Sequence, residues 1–177
     1  MKRLEDTDAG RTQDAPRETR ELFLLVAGGQ LFAVPAEETA GVAEGLTHAP
    51  LPHAPASVLG VASVRGRMRT VLHPPALFDD EDDAQTRSQE DSASSEETTG
   101  TTPRFFVALR GDEQLALAAD EVLGVFKVNA DSLTTPGAHD APLVATLEHE
   151  GRLVRLLDLS RLFDAAMRGT ERRRPRV

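Results

Sequence analysis

The chain contains no cysteine, no tryptophan and no tyrosine. Without thiols, disulfides and thiolate chemistry are excluded. Seven phenylalanines are the whole aromatic complement, a thin supply of platforms for stacking on unpaired bases. Positive charge is also short, with 20 Lys and Arg against 29 Asp and Glu for a formal −9. That balance disfavours bulk nucleic-acid binding. No apolar run approaches the roughly 18 residues of a membrane span, so membrane insertion is not expected. The opening "MKRLEDTDAGRTQDAPRETRE" lacks the apolar core of a signal peptide. A cytoplasmic protein is therefore expected.

Catalytic patterns are missing as well. The histidines, His48, His53, His73, His139 and His149, form no H-E-x-x-H and no tight ligand spacing. No G-x-S-x-G occurs. Gly28-Gly29 opens no helix and precedes no Lys-Ser/Thr, so it is not a phosphate loop. "RGD" (110–112) reads as a hairpin turn, and "DDEDD" (79–83) as a solvated spacer. No catalytic residue, metal ligand or cofactor is expected, and binding is the expected activity. An enzyme with an unrecognised site ranks last, for want of paired titratable groups.

At 177 residues the chain suits one domain or two intimately packed subdomains. Three segments have little to bury. Residues 1–20 are polar and mixed in charge, and are expected to form a disordered tail. Residues 79–103 carry nine acids against one arginine and read as a long flexible acidic loop inside a folded body. Residues 168–177 hold five arginines and one glutamate and read as a loose tail.

What remains reads mostly as strands. "LFLLVAGGQLFAV" (22–34) is two apolar runs about Gly28-Gly29, a two-residue hairpin signal. "RFFVALRGDEQLALAAD" (104–120) repeats it with a longer turn at Gly111–Glu113. "VLGVASV" (58–64), "RMRTVLH" (67–73), "EVLGVFKV" (121–128) and "RLVRLLDL" (152–159) add strands. The best helix is 159–169, with Leu159, Leu162, Phe163 and Ala166 on one face, Ser160 as cap and Gly169 as stop. Leu157 and Phe163 are expected in the core.

The chain also repeats itself. "GRMRTVLHPPALF" (66–78) and "GRLVRLLDLSRLF" (151–163) share Gly-Arg at the start and Leu-Phe at the end. "FAVPAEETAGV" (32–42) falls on "LALAADEVLGV" (115–125) at an offset of 83 residues. Two matches in the same order point to duplication, each copy supplying four or five short strands that curl into a small barrel.

The segment "APASVLGVASVRGRMRTVLHPPALF" (54–78) resembles the signature of the CheW-like family of chemotaxis adaptors, with Pro55, Gly60, Val61, Val64, Arg65 and Gly66 on its pattern. The resemblance runs over residues 21–167 and includes Asp120, Val122 and Val125. It implies a mainly β fold: two packed SH3-like five-stranded β-barrel subdomains, one per copy, with a short C-terminal helix. It also implies a non-catalytic adaptor at receptor arrays. One partner would be the tip of a methyl-accepting chemotaxis receptor, seated between the barrels. The other would be the regulatory domain of a CheA-type histidine kinase. Arg65 matches an arginine implicated in receptor contact, and a guanidinium can fork onto carboxylates or carbonyls. Val64, Gly66 and Gly60 flank it as candidate receptor-binding residues. The glycines also suit turn geometry, and Val64 also suits the core.

The sequence departs from the family pattern in places. Gly41 stands where an acid is common, Ser63 replaces the usual Asn, and Ala116 replaces a common Gly. His73-Pro74 replaces Asp-Leu, which the second copy keeps as Asp158-Leu159. Pro74 and Pro75 cannot donate to a ladder and should end their strand early. An unusual receptor or a non-flagellar pathway would fit these changes. The competing possibility is a small β-barrel module that binds nucleic acid or an anionic surface through the Arg-rich tail.

Overall fold

The computed structural model describes residues 18–78, 102–111, 114–135 and 142–168. Most of the expected tails and of the acidic loop lies outside these residues, as do His139 and the Asp112-Glu113 part of the second hairpin turn. Ten strands are described: β1 (Thr19–Ala27), β2 (Gln30–Pro35), β3 (Thr39–Glu44), β4 (Val58–Val64), β5 (Arg67–Leu72), β6 (Phe105–Leu109), β7 (Leu115–Ala119), β8 (Glu121–Asn129), β9 (Leu143–His149) and β10 (Arg152–Leu157). One helix follows, α1 (Leu159–Arg168). The fold is mainly β, with two five-stranded SH3-like sheets and a C-terminal helix.

The copies do not each make one sheet. Sheet I runs β8-β1-β2-β10-β9 and sheet II runs β3-β6-β7-β5-β4. The β1–β2 hairpin of the first copy lies among the last strands of the second, and β6–β7 lies among strands of the first. The link after β2 explains the exchange. Pro35 lies beside Leu22, near the start of β1. The slot beside the far end of β1 belongs to β8, where Val122 faces Leu25. Four residue steps reach at most about 14 Å, with nothing to spare for passing the side chains of β1. The compact 3-10 turn Ala36–Glu38 instead delivers β3 to β6, with Val42 opposite Val107.

The central hairpins bury both faces. On β1, Leu22 and Leu24 point into the interior of sheet I, while Phe23, Leu25 and Ala27 point to the seam between sheets. On β7, Ala116 and Ala118 enter sheet II, while Leu115, Leu117 and Ala119 meet the seam. Runs such as "LFLLVA" and "LALAA" are continuous rather than alternating because each side has a cover. Leu72 and Leu157, equivalent in the repeat, both lie fully buried in the seam.

Several expectations need correction. Thr19 and Arg20 belong to β1, paired with Asn129 and Val128, because β8 is long enough to continue the ladder. Pro103, expected in the flexible loop, is buried beside β6, and Arg168 ends the helix rather than opening a tail. Phe163 is 41% exposed, whereas Leu162 and Ala166 carry the buried face of α1. A step of about 100° along the helix turns Phe163 off that face. The cap is Asp158, whose Oδ1 accepts from the Ser160 N–H at 3.1 Å and from the Ser160 hydroxyl at 2.6 Å. At the other end the buried Ser57 hydroxyl donates to the Ala166 carbonyl at 2.9 Å, satisfying one of the last helical carbonyls. Pro74-Pro75 does end β5, which gives way to a single 3-10 turn over Pro75–Leu77.

Candidate functional site

The β4–β5 hairpin turns on Arg65 and Gly66, at φ +54° and +77°. Two consecutive left-handed residues form the tight turn that matches strand twist. Glycine takes the second place without strain, whereas Arg65 gives up about 1–2 kcal/mol by being there. Its exposed side chain lies back over β3. The Nη1 atom of Arg65 is 3.4 Å from the Ala40 carbonyl. A Cβ on Gly41, at φ +138°, would sit 3.0 Å from Arg65 Cδ and Cζ. The bare backbone at Gly41, where the family pattern has an acid, is what lets the arginine lie down.

The four candidate residues separate in space. Arg65 and Gly66 share the exposed hairpin tip. Val64 is fully buried inside sheet II. Gly60, at φ +145°, sits buried at an irregularity of β4, where a Cβ would lie 2.9 Å from Pro50 Cα. Its lack of a side chain admits the Ala49–Pro50 segment, which bridges to Val61 through a pair of backbone hydrogen bonds. Asp120, another family match, holds the first hairpin: its Oδ2 accepts from the Gly28 N–H at 2.8 Å.

Three further arginines gather near Arg65, none of them expected at a site from sequence, Arg110 reading there only as part of the "RGD" turn. Arg67 is exposed on β5. Arg69, two residues on, is 8% exposed, and its Nη1 donates to the carbonyls of Leu109 at 2.7 Å and Leu115 at 3.2 Å. It thereby ties the mouth of the β6–β7 hairpin. Burial, and secondarily the like charge of Arg67, lower its pKa. Arg110 follows β6, with its N–H donating to the Glu38 carbonyl and its Nε to the Thr39 carbonyl at 3.0 Å. Together with Ala40, Leu109 and Gly111, the four arginines line an open pocket of about 380 Å³. One signal was legible, the alternation Arg65-x-Arg67-x-Arg69, which puts alternate residues on one strand face. Arg110 arrives only through sheet pairing.

Beside this pocket is a cleft of about 340 Å³ between the end of β6–β7 and the start of α1, lined by Glu38, Gln114, Leu115, Leu159 and Ser160 with Leu109, Arg110 and Gly111. The three last residues belong to both hollows. The cleft joins a strand pair of sheet II to the helix that follows sheet I, so it lies where the sheets meet. Among the described residues no three His, Asp or Glu side chains converge as a metal site, and no helix is long and apolar enough to cross a membrane.

Paired five-stranded SH3-like sheets with a cleft at their junction define a two-sheet β module. The chain belongs to the CheW-like domain family, which matches residues 21–167 and comprises coupling and scaffold proteins of chemotaxis. Protein FrzA of Myxococcus xanthus is 27% identical over 156 residues, 85% of this chain and 89% of its own. The scaffolding protein TtCheW of Thermoanaerobacter tengcongensis has the same fold, with a TM-score of 0.60 at 12% identity over 83% of this chain and 94% of its own.

Proposed function

We propose that this chain is a non-catalytic chemosensory adaptor that links a methyl-accepting receptor to a CheA-type histidine kinase by protein–protein contacts. Membership of the CheW-like family over both sheets carries this reading. The junction cleft beside an exposed, conformationally constrained Arg65 supports it. In this role the receptor's helical tip lies along the cleft and Arg65 forks onto carbonyls or carboxylates of that tip. Val64, Gly60 and Gly66 shape the strand and turn that aim it. The protein works in the cytoplasm, at receptor arrays, through one CheW-like domain that begins with β1 at Thr19 and closes with α1 at Arg168.

Calorimetric titration with a receptor-tip fragment and, separately, with a kinase regulatory domain tests the proposal. Both should bind. Arg65→Ala should weaken the receptor by about 1–3 kcal/mol, the range of an interface anchor. The melting temperature should scarcely move, because exposed substitutions usually change stability by less than about 0.5 kcal/mol. Arg65→Lys should recover part of the binding. Absence of binding to both partners would sink the adaptor reading. Unchanged receptor binding by Arg65→Ala would remove only the role of Arg65.

A further inference from the structure

We propose that the pocket of Arg65, Arg67, Arg69 and Arg110 is a binding site for a small, multiply charged phosphate-type oxyanion, a pyrophosphate or a phosphate ester. Four arginines line one hollow of about 380 Å³, a size that suits a small molecule. Its described lining contains no carboxylate, and Glu38 lines the adjoining cleft instead. Elsewhere among the described residues three arginines pair with acids, Arg20 with Glu18, Arg104 with Glu44 and Arg161 with Asp158, while Arg152 and Arg155 donate to the Gly29 carbonyl and the Gln30 amide oxygen. Among the described residues the pocket arginines have only carbonyl partners or none.

Arg69 is the second, independent observation. It is more than nine-tenths buried, and its Nε has no hydrogen-bond partner. A buried cation facing carbonyls alone is costly, and a counter-charge within reach offsets that cost. The lowered pKa of Arg69, caused by burial and by Arg67, has the direction that a bound anion would reverse. Guanidinium forks match the several oxygens of a phosphate group. The fold itself does not require this cluster. In the other copy, at the offset of 85 residues between β5 and β10, Glu150, Arg152 and Val154 stand where Arg65, Arg67 and Arg69 stand here. The inference does not rest on the adaptor role and needs only the single chain.

Titration calorimetry with inorganic pyrophosphate, at an ionic strength held constant with sodium chloride, tests it. The full chain should show saturable binding at one site, tighter for pyrophosphate than for phosphate. The double variant Arg67→Gln/Arg110→Gln should lose at least about tenfold in affinity, while Arg20→Gln, on β1, should bind as the parent does. Both pocket substitutions are at exposed positions, so the double variant should fold with an unchanged circular dichroism spectrum. Heats that disappear at matched ionic strength would overturn the proposal. So would a double variant that binds pyrophosphate as the parent does.

Discussion

Sheets I and II have the same strand order under the exchange of copies, yet their interiors differ. Sheet I is filled by Leu22, Leu24, Leu31, Leu147 and Leu156 with Val154 and two alanines. Sheet II encloses one phenylalanine, Phe106, with Val64, Val71 and the alanines 62, 108, 116 and 118. The cross-strand pair Leu147 and Val154 of sheet I corresponds to Ala62 and Arg69 in sheet II. The small side chain and the long cation occupy paired positions, so Arg69 can enter where a leucine would fill the space. The lesson is a division of labour. Sheet I keeps a leucine interior and leads into an Asp-capped helix, while sheet II gives up apolar volume for a cationic mouth beside the junction cleft.

The seam should be symmetric even though the interiors are not. Leu72→Ala and Leu157→Ala remove equivalent, fully buried side chains, and each should cost about 2–5 kcal/mol. Urea unfolding of both variants checks this. A gap of more than about 2 kcal/mol between them would break the symmetry of the seam, because the residual cavities would then collapse differently.

The next contrast is between glycines. Gly41 and Gly124 occupy equivalent places on β3 and β8, at φ +138° and +102°. Alanine at either position is strained by about 1–3 kcal/mol. Only at Gly41 must the new methyl also displace Arg65, since nothing lies within 4 Å of a Cβ at Gly124. Gly41→Ala should therefore weaken receptor binding as well as stability, and Gly124→Ala stability alone. Equal effects on binding would show that Arg65 does not depend on lying over Gly41.

The smallest effect sharpens the comparison most. Arg65 and Glu150 hold the same left-handed place in the β4–β5 and β9–β10 turns, at φ +54° and +51°. Replacing either by glycine relieves local strain and adds freedom to the unfolded chain. The net gain should be about 0.5 kcal/mol in each case, read as a small rise in melting temperature. Arg65→Gly should lose receptor affinity, and Glu150→Gly should keep it. Two stabilised variants with different binding would separate turn geometry from recognition. Parallel losses of binding would place recognition in both hairpins.

Much of the local structure was legible. The hairpin at Gly28-Gly29, the strands begun at 58, 67, 121 and 152, and the helix starting at 159 follow from turn residues and periodicity, although the strand expected over 152–159 ends at Leu157 and the one expected over 67–73 at Leu72. The end of β5 follows from Pro74-Pro75. Strand β3 carries Gly41, no apolar side chain larger than Val42 and an exposed Glu44, and β9 mixes polar with apolar residues, so neither stood out. Phe163 belonged to the apolar face by spacing, but α1 docks through Leu162, Ala166 and the Ser57 hydroxyl, and that orientation was set by another copy's loop.

By itself the sequence determined that this is a duplicated β protein with both faces of its central hairpins apolar, and that Arg65 lies at a strand-to-strand turn. The tertiary structure alone decided which copy's strands pair and which arginines meet. Two copies with the same alternation present equivalent pairing edges, so side-chain pattern cannot choose between partners. The short reach from Pro35 to Thr39 chooses, by sending β3 to β6. That exchange sets β3 and Arg110 beside the β4–β5 hairpin, and so assembles the cationic pocket from three distant stretches of chain.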